Sequence, residues 1–268
     1  MIAATVSAGR IRIAGLEVAY DRVGEGPPLV LVHSAGSDAR EWRPQIAGLA
    51  DEFTVIAWDE PGAGRSSDLP ADFGLGGYAT ALAALVETHG APAHVCGLSW
   101  GGTVTLELYR RRPELMATLV LADTYAGWKG SLPEHERRAR VAGVERMLNA
   151  PTEPSHPTVA GLFAGEPPGD ITELLDAVAA DVRPESMRAA LGAMAEADLR
   201  AVLPRITAPT LLVWGELDAR SPLSVAREFA RAIPGAELVV IPDAGHMSNL
   251  ERPDEFNAAV RDFCRRAP

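Results

Sequence analysis

The sequence predicts an α/β fold, with a mostly parallel sheet flanked by helices and broken once by a helical insertion. Three observations carry this. Short apolar runs alternate with longer stretches of helical periodicity along most of the chain. The runs are continuous in Val, Leu and Ile, as in strands covered on both faces. Between about residues 126 and 203 the rhythm stops: this part is rich in Ala, Arg and Glu and offers no strand candidate.

The elements follow in order. Residues 11–22 alternate apolar and polar around Gly15 and predict an antiparallel hairpin at the sheet edge. Buried strands are predicted at 29–33, 54–58, 94–98, 118–122, 210–214 and 237–241. Helices are predicted at about 42–50, 76–89, 100–111, 222–232 and 253–266. Pro222 and Pro253 read as helix starts, and Pro113 closes the helix before it. The insertion follows the sixth strand and has a Pro/Gly-rich middle at 151–169. The expected organisation is a core of residues 1–125 and 204–268, with residues 126–203 forming a helical lid over the sheet edge.

Length and charge narrow the function. The 268 residues suit one α/β domain with an insertion, and a 47% hydrophobic content supports a real core. The formal charge, 25 − 36 = −11, argues against a nucleic-acid or anionic-membrane partner. No apolar run reaches the roughly 18 residues of a membrane helix. Arg10 and Arg12 interrupt any signal-peptide core, so a cytoplasmic location is expected. Cys96 and Cys264 form no motif; a buried thiol at Cys96 and an incidental one at Cys264 are expected. No His/Cys cluster has metal-ligand spacing, so neither metal nor cofactor is expected. Gly74-Leu75-Gly76-Gly77-Tyr78-Ala79 matches a loose dinucleotide pattern, but it follows a polar turn rather than a strand.

Gly97-Leu98-Ser99-Trp100-Gly101-Gly102 joins a predicted strand to a predicted helix. A serine in such a tight turn projects its hydroxyl into the open, and the helix start beneath offers N–H groups to a developing oxyanion. The hydroxyl needs a base, and His246, just after the last strand, is placed to be one. Its ring needs an orienting carboxylate: Asp218 after the penultimate strand leads, with Asp123 as runner-up. His135 and His156 fall in the insertion. The small-residue loop His33-Ser34-Ala35-Gly36-Ser37 faces the serine turn, so Ala35 and Trp100 are the expected backbone oxyanion donors. Asp59 and Arg65 are expected to tie the loop 59–66 together as a structural turn.

With Ser99, Asp218 and His246 in that order, the chain resembles the α/β-hydrolase superfamily over nearly its whole length. The segments 33–42 and 245–253 are most similar to 3-oxoadipate enol-lactonases and related small esterases. The resemblance implies an α/β-hydrolase fold and hydrolysis of an ester or lactone of a small, largely apolar molecule through an acyl-enzyme on Ser99. Dehalogenases and epoxide hydrolases of this fold are set aside, because they use an aspartate where Ser99 stands. Three readings stay open beside it: C–C cleavage of a ring-fission diketone, a lyase or perhydrolase reaction, and a binding protein on a hydrolase scaffold. Substrate contacts are expected from His33, Ser34, Tyr125, Trp128, Phe163 and Met247, with Leu162, Met194 and the Trp100 ring as further wall candidates. Lys129, Arg137, Arg138 and Arg140 read as a solvated helix face, or alternatively as attractors of a carboxylated substrate. A monomer or homodimer is expected.

Overall fold

The computed structural model describes residues 6–149, 161–167 and 169–267. Its eight strands are β1 (Ser7–Ile13), β2 (Leu16–Val23), β3 (Pro28–Val32), β4 (Thr54–Trp58), β5 (Ala93–Leu98), β6 (Met116–Ala122), β7 (Thr210–Gly215) and β8 (Glu237–Ile241). They form one sheet in the order β1-β2-β4-β3-β5-β6-β7-β8. The hairpin β1–β2 pairs antiparallel, and β2 pairs antiparallel with β4. Every remaining neighbour is parallel. The hairpin turn at Ala14-Gly15 has φ of +47° and +86°, the left-handed pair whose twist suits a two-residue connection.

The helices are α1 (Arg43–Leu49), α2 (Leu75–His89), α3 (Trp100–Arg111), α4 (Glu134–Asn149), α5 (Gly169–Ala180), α6 (Pro184–Glu196), α7 (Leu223–Ala232), α8 (Ser248–Glu251) and α9 (Pro253–Arg266). Side chains alternate across each strand, so each central strand feeds two cores. Val30, Val32, Val95, Leu119, Leu121, Leu212 and Trp214 pack in one core with residues of α2 and α3. Leu29, Leu31, Cys96, Val120, Leu211 and Val213 pack in the other with Leu49, Phe256 and Val260. That double burial is the physical reason their sequences are apolar throughout.

Several expectations shift in detail. The helix expected at 42–50 is a 3₁₀ turn, Ala39–Trp42, followed by α1. Pro222 caps α7 from outside rather than starting it, with an extended ψ of 156°. Cys264 is not incidental: it is buried under the sheet, 3.8 Å from the Thr118 hydroxyl. Burial pushes both thiols up, Cys264 to about 11.

Between β6 and β7 lie α4, α5 and α6, and among the described residues of this stretch there is no strand. His156 and most of the Pro/Gly-rich stretch 151–169 lie outside the described residues. Among the described residues no helix is long and apolar enough to cross a membrane.

Candidate active site

Ser99 sits between β5 and α3 with φ +53° and ψ −115°, a conformation that costs an L-residue roughly 1–3 kcal/mol. Surrounding bonds hold it there: its N–H donates to the Ala122 carbonyl (2.9 Å), and its carbonyl accepts from Gly102 N–H (3.0 Å) and the Thr124 hydroxyl. The flanking glycines are required by space. A Cβ on Gly97 would lie 2.5 Å from the Gly101 oxygen, and one on Gly101 would lie 2.1 Å from the Val32 oxygen. A Cβ on Gly102 would meet the Thr124 hydroxyl at 2.4 Å. The helix therefore packs directly against β3 and β6, and this close approach aims the turn at the carboxyl edge of the sheet.

His246 follows β8 and reaches the same edge. Its Nε2 lies 2.9 Å from Ser99 Oγ, and its Nδ1 lies 2.9 Å from Asp218 Oδ2. A carboxylate can only accept here, so Nδ1 carries the proton and Nε2 is free to accept from the serine hydroxyl. Asp218 Oδ1 accepts the N–H groups of Arg220 (2.7 Å) and Ser221 (2.8 Å), which fixes the carboxylate plane. Asp218 and His246 are buried, whereas Ser99 is partly exposed. The sequence thus brings together Ser99, His246 and Asp218 from three loops.

Asp123 does not contact the imidazole. Its carboxylate accepts from Gly215 N–H (2.8 Å) and from the Ser248 hydroxyl. Burial, reinforced by the neighbouring Asp218, pushes it well above the usual carboxylate range. It joins the strand ends beneath the triplet rather than replacing Asp218.

The loop after β3 faces Ser99. The Ala35 N–H has no partner among the described residues. The Trp100 N–H belongs to the first turn of α3, where no intrahelical acceptor exists. Buried Glu41 secures this loop, accepting from Ser34 N–H (3.1 Å) and from the Ser34 hydroxyl. A second buried carboxyl, Glu60, accepts from the Trp100 indole N–H (2.8 Å). Burial pushes Glu60 up to about 7.

A cavity of about 240 Å³ opens onto Ser99 and His246. Ser34, Ala35, Tyr125, Trp128 and Met247 line it, as do Leu162 and Met194. His33 does not. Its ring is fully buried, donating from Nδ1 to the Ser34 carbonyl (2.8 Å) and accepting Glu60 N–H at Nε2 (3.1 Å). It is a strut between two loops rather than a substrate contact. Phe163 is likewise absent from the wall, where its neighbour Leu162 stands. The Trp100 ring is absent too, held by Glu60 and packed edge-on against Tyr78.

Of the four basic residues considered at the helix face, Arg140 alone reaches the cavity; Lys129 and Arg137 pair with Glu196, and Arg138 with Glu134. Asp59 ties its loop as expected, accepting from Ala39 N–H and from the backbone and side chain of Arg65. Glu251 was not foreseen. It accepts N–H groups from Ala164 and Gly245, fastening the insertion to the histidine loop. Among the described residues no cluster of His, Cys, Asp or Glu is arranged to hold a metal ion.

Residues 27–253 match the family model of the alpha/beta hydrolase fold. The chain belongs to that family. Among relatives of this α/β-hydrolase-fold chain is RutD of Pseudomonas savastanoi pv. phaseolicola, whose name carries a carbamate hydrolase designation. It is 31% identical over 250 residues, covering 89% of this chain and 94% of the relative. Of solved structures, an esterase from Thermogutta terrifontis is 31% identical with a TM-score of 0.85, over 97% of this chain and 98% of that one. The enol-lactonase of Burkholderia xenovorans LB400 is 28% identical with a TM-score of 0.79, over 96% of this chain and the whole of that one.

Proposed function

We propose that this chain is a serine hydrolase that cleaves an ester or lactone bond of a small molecule through an acyl-enzyme on Ser99. The observation that carries the reading is the unbroken chain Ser99 Oγ, His246, Asp218, with both contacts at 2.9 Å. His246 Nε2 takes the hydroxyl proton as Oγ attacks the carbonyl carbon. The resulting oxyanion is received by the N–H groups of Ala35 and Trp100, each donor worth about 10²–10³ in turnover. Asp218 stabilises the imidazolium, which then returns the proton to the leaving alkoxide as the C–O bond breaks. A water deprotonated by the same nitrogen cleaves the acyl-serine and releases the acid. In a lactone the leaving oxygen stays attached to the acyl group through the carbon chain, so the two steps release a single hydroxy acid.

The residues 126–203 act in this reading as a lid. Leu162, Leu175, Val178, Leu191 and Met194 from this stretch face the cavity. Their apolar character supports a substrate whose body is mostly hydrocarbon. The likeness to an esterase, an enol-lactonase and a chain with a carbamate hydrolase designation supports attack on an acyl carbon bearing a heteroatom leaving group.

Hydrolysis of p-nitrophenyl butyrate by the wild type and by Ser99→Ala tests the reading. A loss of at least about 10³-fold is expected, in line with what removing a triad nucleophile does. Equal rates would overturn it.

A further inference from the structure

The cavity beside Ser99 contains a cation with no counter-ion among the described residues. Arg220, two residues beyond Asp218, lines the wall and is only partly exposed. Its backbone is fully used: the N–H donates to Asp218, and the carbonyl accepts from the Tyr125 hydroxyl (3.0 Å) and from Arg140 (2.9 Å). Its guanidinium, by contrast, makes no hydrogen bond and no ion pair among the described residues. Arginine stays protonated in proteins and carries five donors, so the group cannot escape by losing its proton.

The surrounding charges sharpen the point. Arg140, the nearest cation on the same wall, has its own carboxylate in Glu136 at 2.7 Å. It also lies over the rings of Tyr125 and Trp128, 5.4 and 5.6 Å from their centroids. Arg140 therefore repels Arg220 without needing a further anion. The acid acting on Arg220 is Asp218, already engaged by His246 and two backbone N–H groups. Glu41 lines the same cavity, yet it is spent on the Ser34 backbone and hydroxyl. Asp176 lines the wall as well and has a partner of its own, while Leu162, Leu175, Val178 and Leu191 make much of the rest aliphatic. A partly desolvated guanidinium facing such a wall is complete only when an anion enters with the substrate.

We infer that Arg220 is the anion-binding group of the acyl pocket, and that the substrate is an ester or lactone whose acyl part carries a second, free carboxylate. A carboxylate is the anion that fits, because one planar guanidinium fork matches its two oxygens, and a single negative charge suits a cavity of about 240 Å³ whose other charged groups already have partners. The inference rests on the serine hydrolase reading for where the reacting bond lies. The carboxylate subsite itself does not depend on turnover.

The experiment compares monomethyl and dimethyl esters of succinate, glutarate and adipate. They share a carbon skeleton, and the dimethyl ester lacks only the free charge. For at least one chain length the wild type is expected to show kcat/KM about 10–100-fold higher for the monomethyl ester, the worth of one charge-assisted pair. In Arg220→Gln that ratio falls toward one, and Arg220→Lys restores part of it. Calorimetric binding of the same monoesters to Ser99→Ala, with and without Arg220→Gln, reads the subsite without turnover. Thermal melts of each variant report folding. No preference for any monoester in the wild type, or a preference unchanged in Arg220→Gln, would overturn the proposal. If neither ester turns over while monoester binding still depends on Arg220, the hydrolase reading fails and the subsite stands.

Discussion

Replacing Glu60 by Gln should remove a loss of stability that the wild type suffers as pH rises. Glu60 is 4% exposed, and its carboxyl accepts the Trp100 indole N–H at 2.8 Å. Burial is the main reason it titrates near 7 rather than 4.5, and nearby Glu41 adds to the rise. His33 and the Trp100 N–H pull in the opposite direction without overcoming burial. A carboxyl whose value is raised by folding favours the folded state in its protonated form. Its contribution is complete below about 4.5 and is lost as pH climbs through about 7. At about 1.4 kcal/mol per unit, the gap between those values corresponds to roughly 3 kcal/mol. Gln keeps an oxygen for the indole and cannot ionise. Urea unfolding at pH 5 and pH 8 should therefore show wild-type stability dropping by roughly 3 kcal/mol more than that of Glu60→Gln. Parallel losses in the two proteins would refute the reasoning, because the titrating group would then lie elsewhere.

Two further outcomes follow from the geometry around Ser99. Asp218→Asn removes the carboxylate that fixes the Nδ1–H tautomer of His246, so kcat for a short ester should fall by about 10⁴; steady-state kinetics check this, and a loss under tenfold would contradict it. Gly101→Ala drives a methyl group to 2.1 Å from the Val32 oxygen and 2.7 Å from the His33 oxygen, both backbone atoms that cannot swing aside. The expected destabilisation is about 3 kcal/mol or more, read from the urea midpoint, and a midpoint equal to the wild type would show that α3 does not pack as described.

Much of this molecule was legible in one dimension where a single physical rule governs the residues. The apolar runs at β3 to β7 announce strands buried on both faces, and Gly15 announces a tight hairpin. Ser99 stood out because Gly97, Gly101 and Gly102 are the residues that three separate backbone and side-chain approaches demand. His246 and Asp218 were readable because strand ends in a parallel sheet share one edge.

What stayed hidden depends on which way a loop side chain turns. His33 ends a strand at the right edge, yet its two ring nitrogens are consumed by Ser34 and Glu60. Leu162 and Phe163 are adjacent in sequence, and only the backbone path of the insertion decides which one faces the cavity. Glu41, Glu60 and Arg220 carry charges that a sequence reading assigns to solvent by default, because the burial that perturbs them comes from distant segments. One clue was available: Arg220 lies two residues from Asp218, in a loop that has to border the reacting bond.

Covalent labelling tests the central claim most directly. A fluorophosphonate phosphonylates a serine, with loss of fluoride, only when a neighbouring base removes the hydroxyl proton and an oxyanion site receives the phosphoryl oxygen. Intact mass followed by peptide mapping should find one adduct per chain, on Ser99, with loss of esterase activity in proportion and no adduct in Ser99→Ala. An unlabelled Ser99 in a folded, active protein, or an adduct on another residue that tracks the loss of activity, would contradict the account.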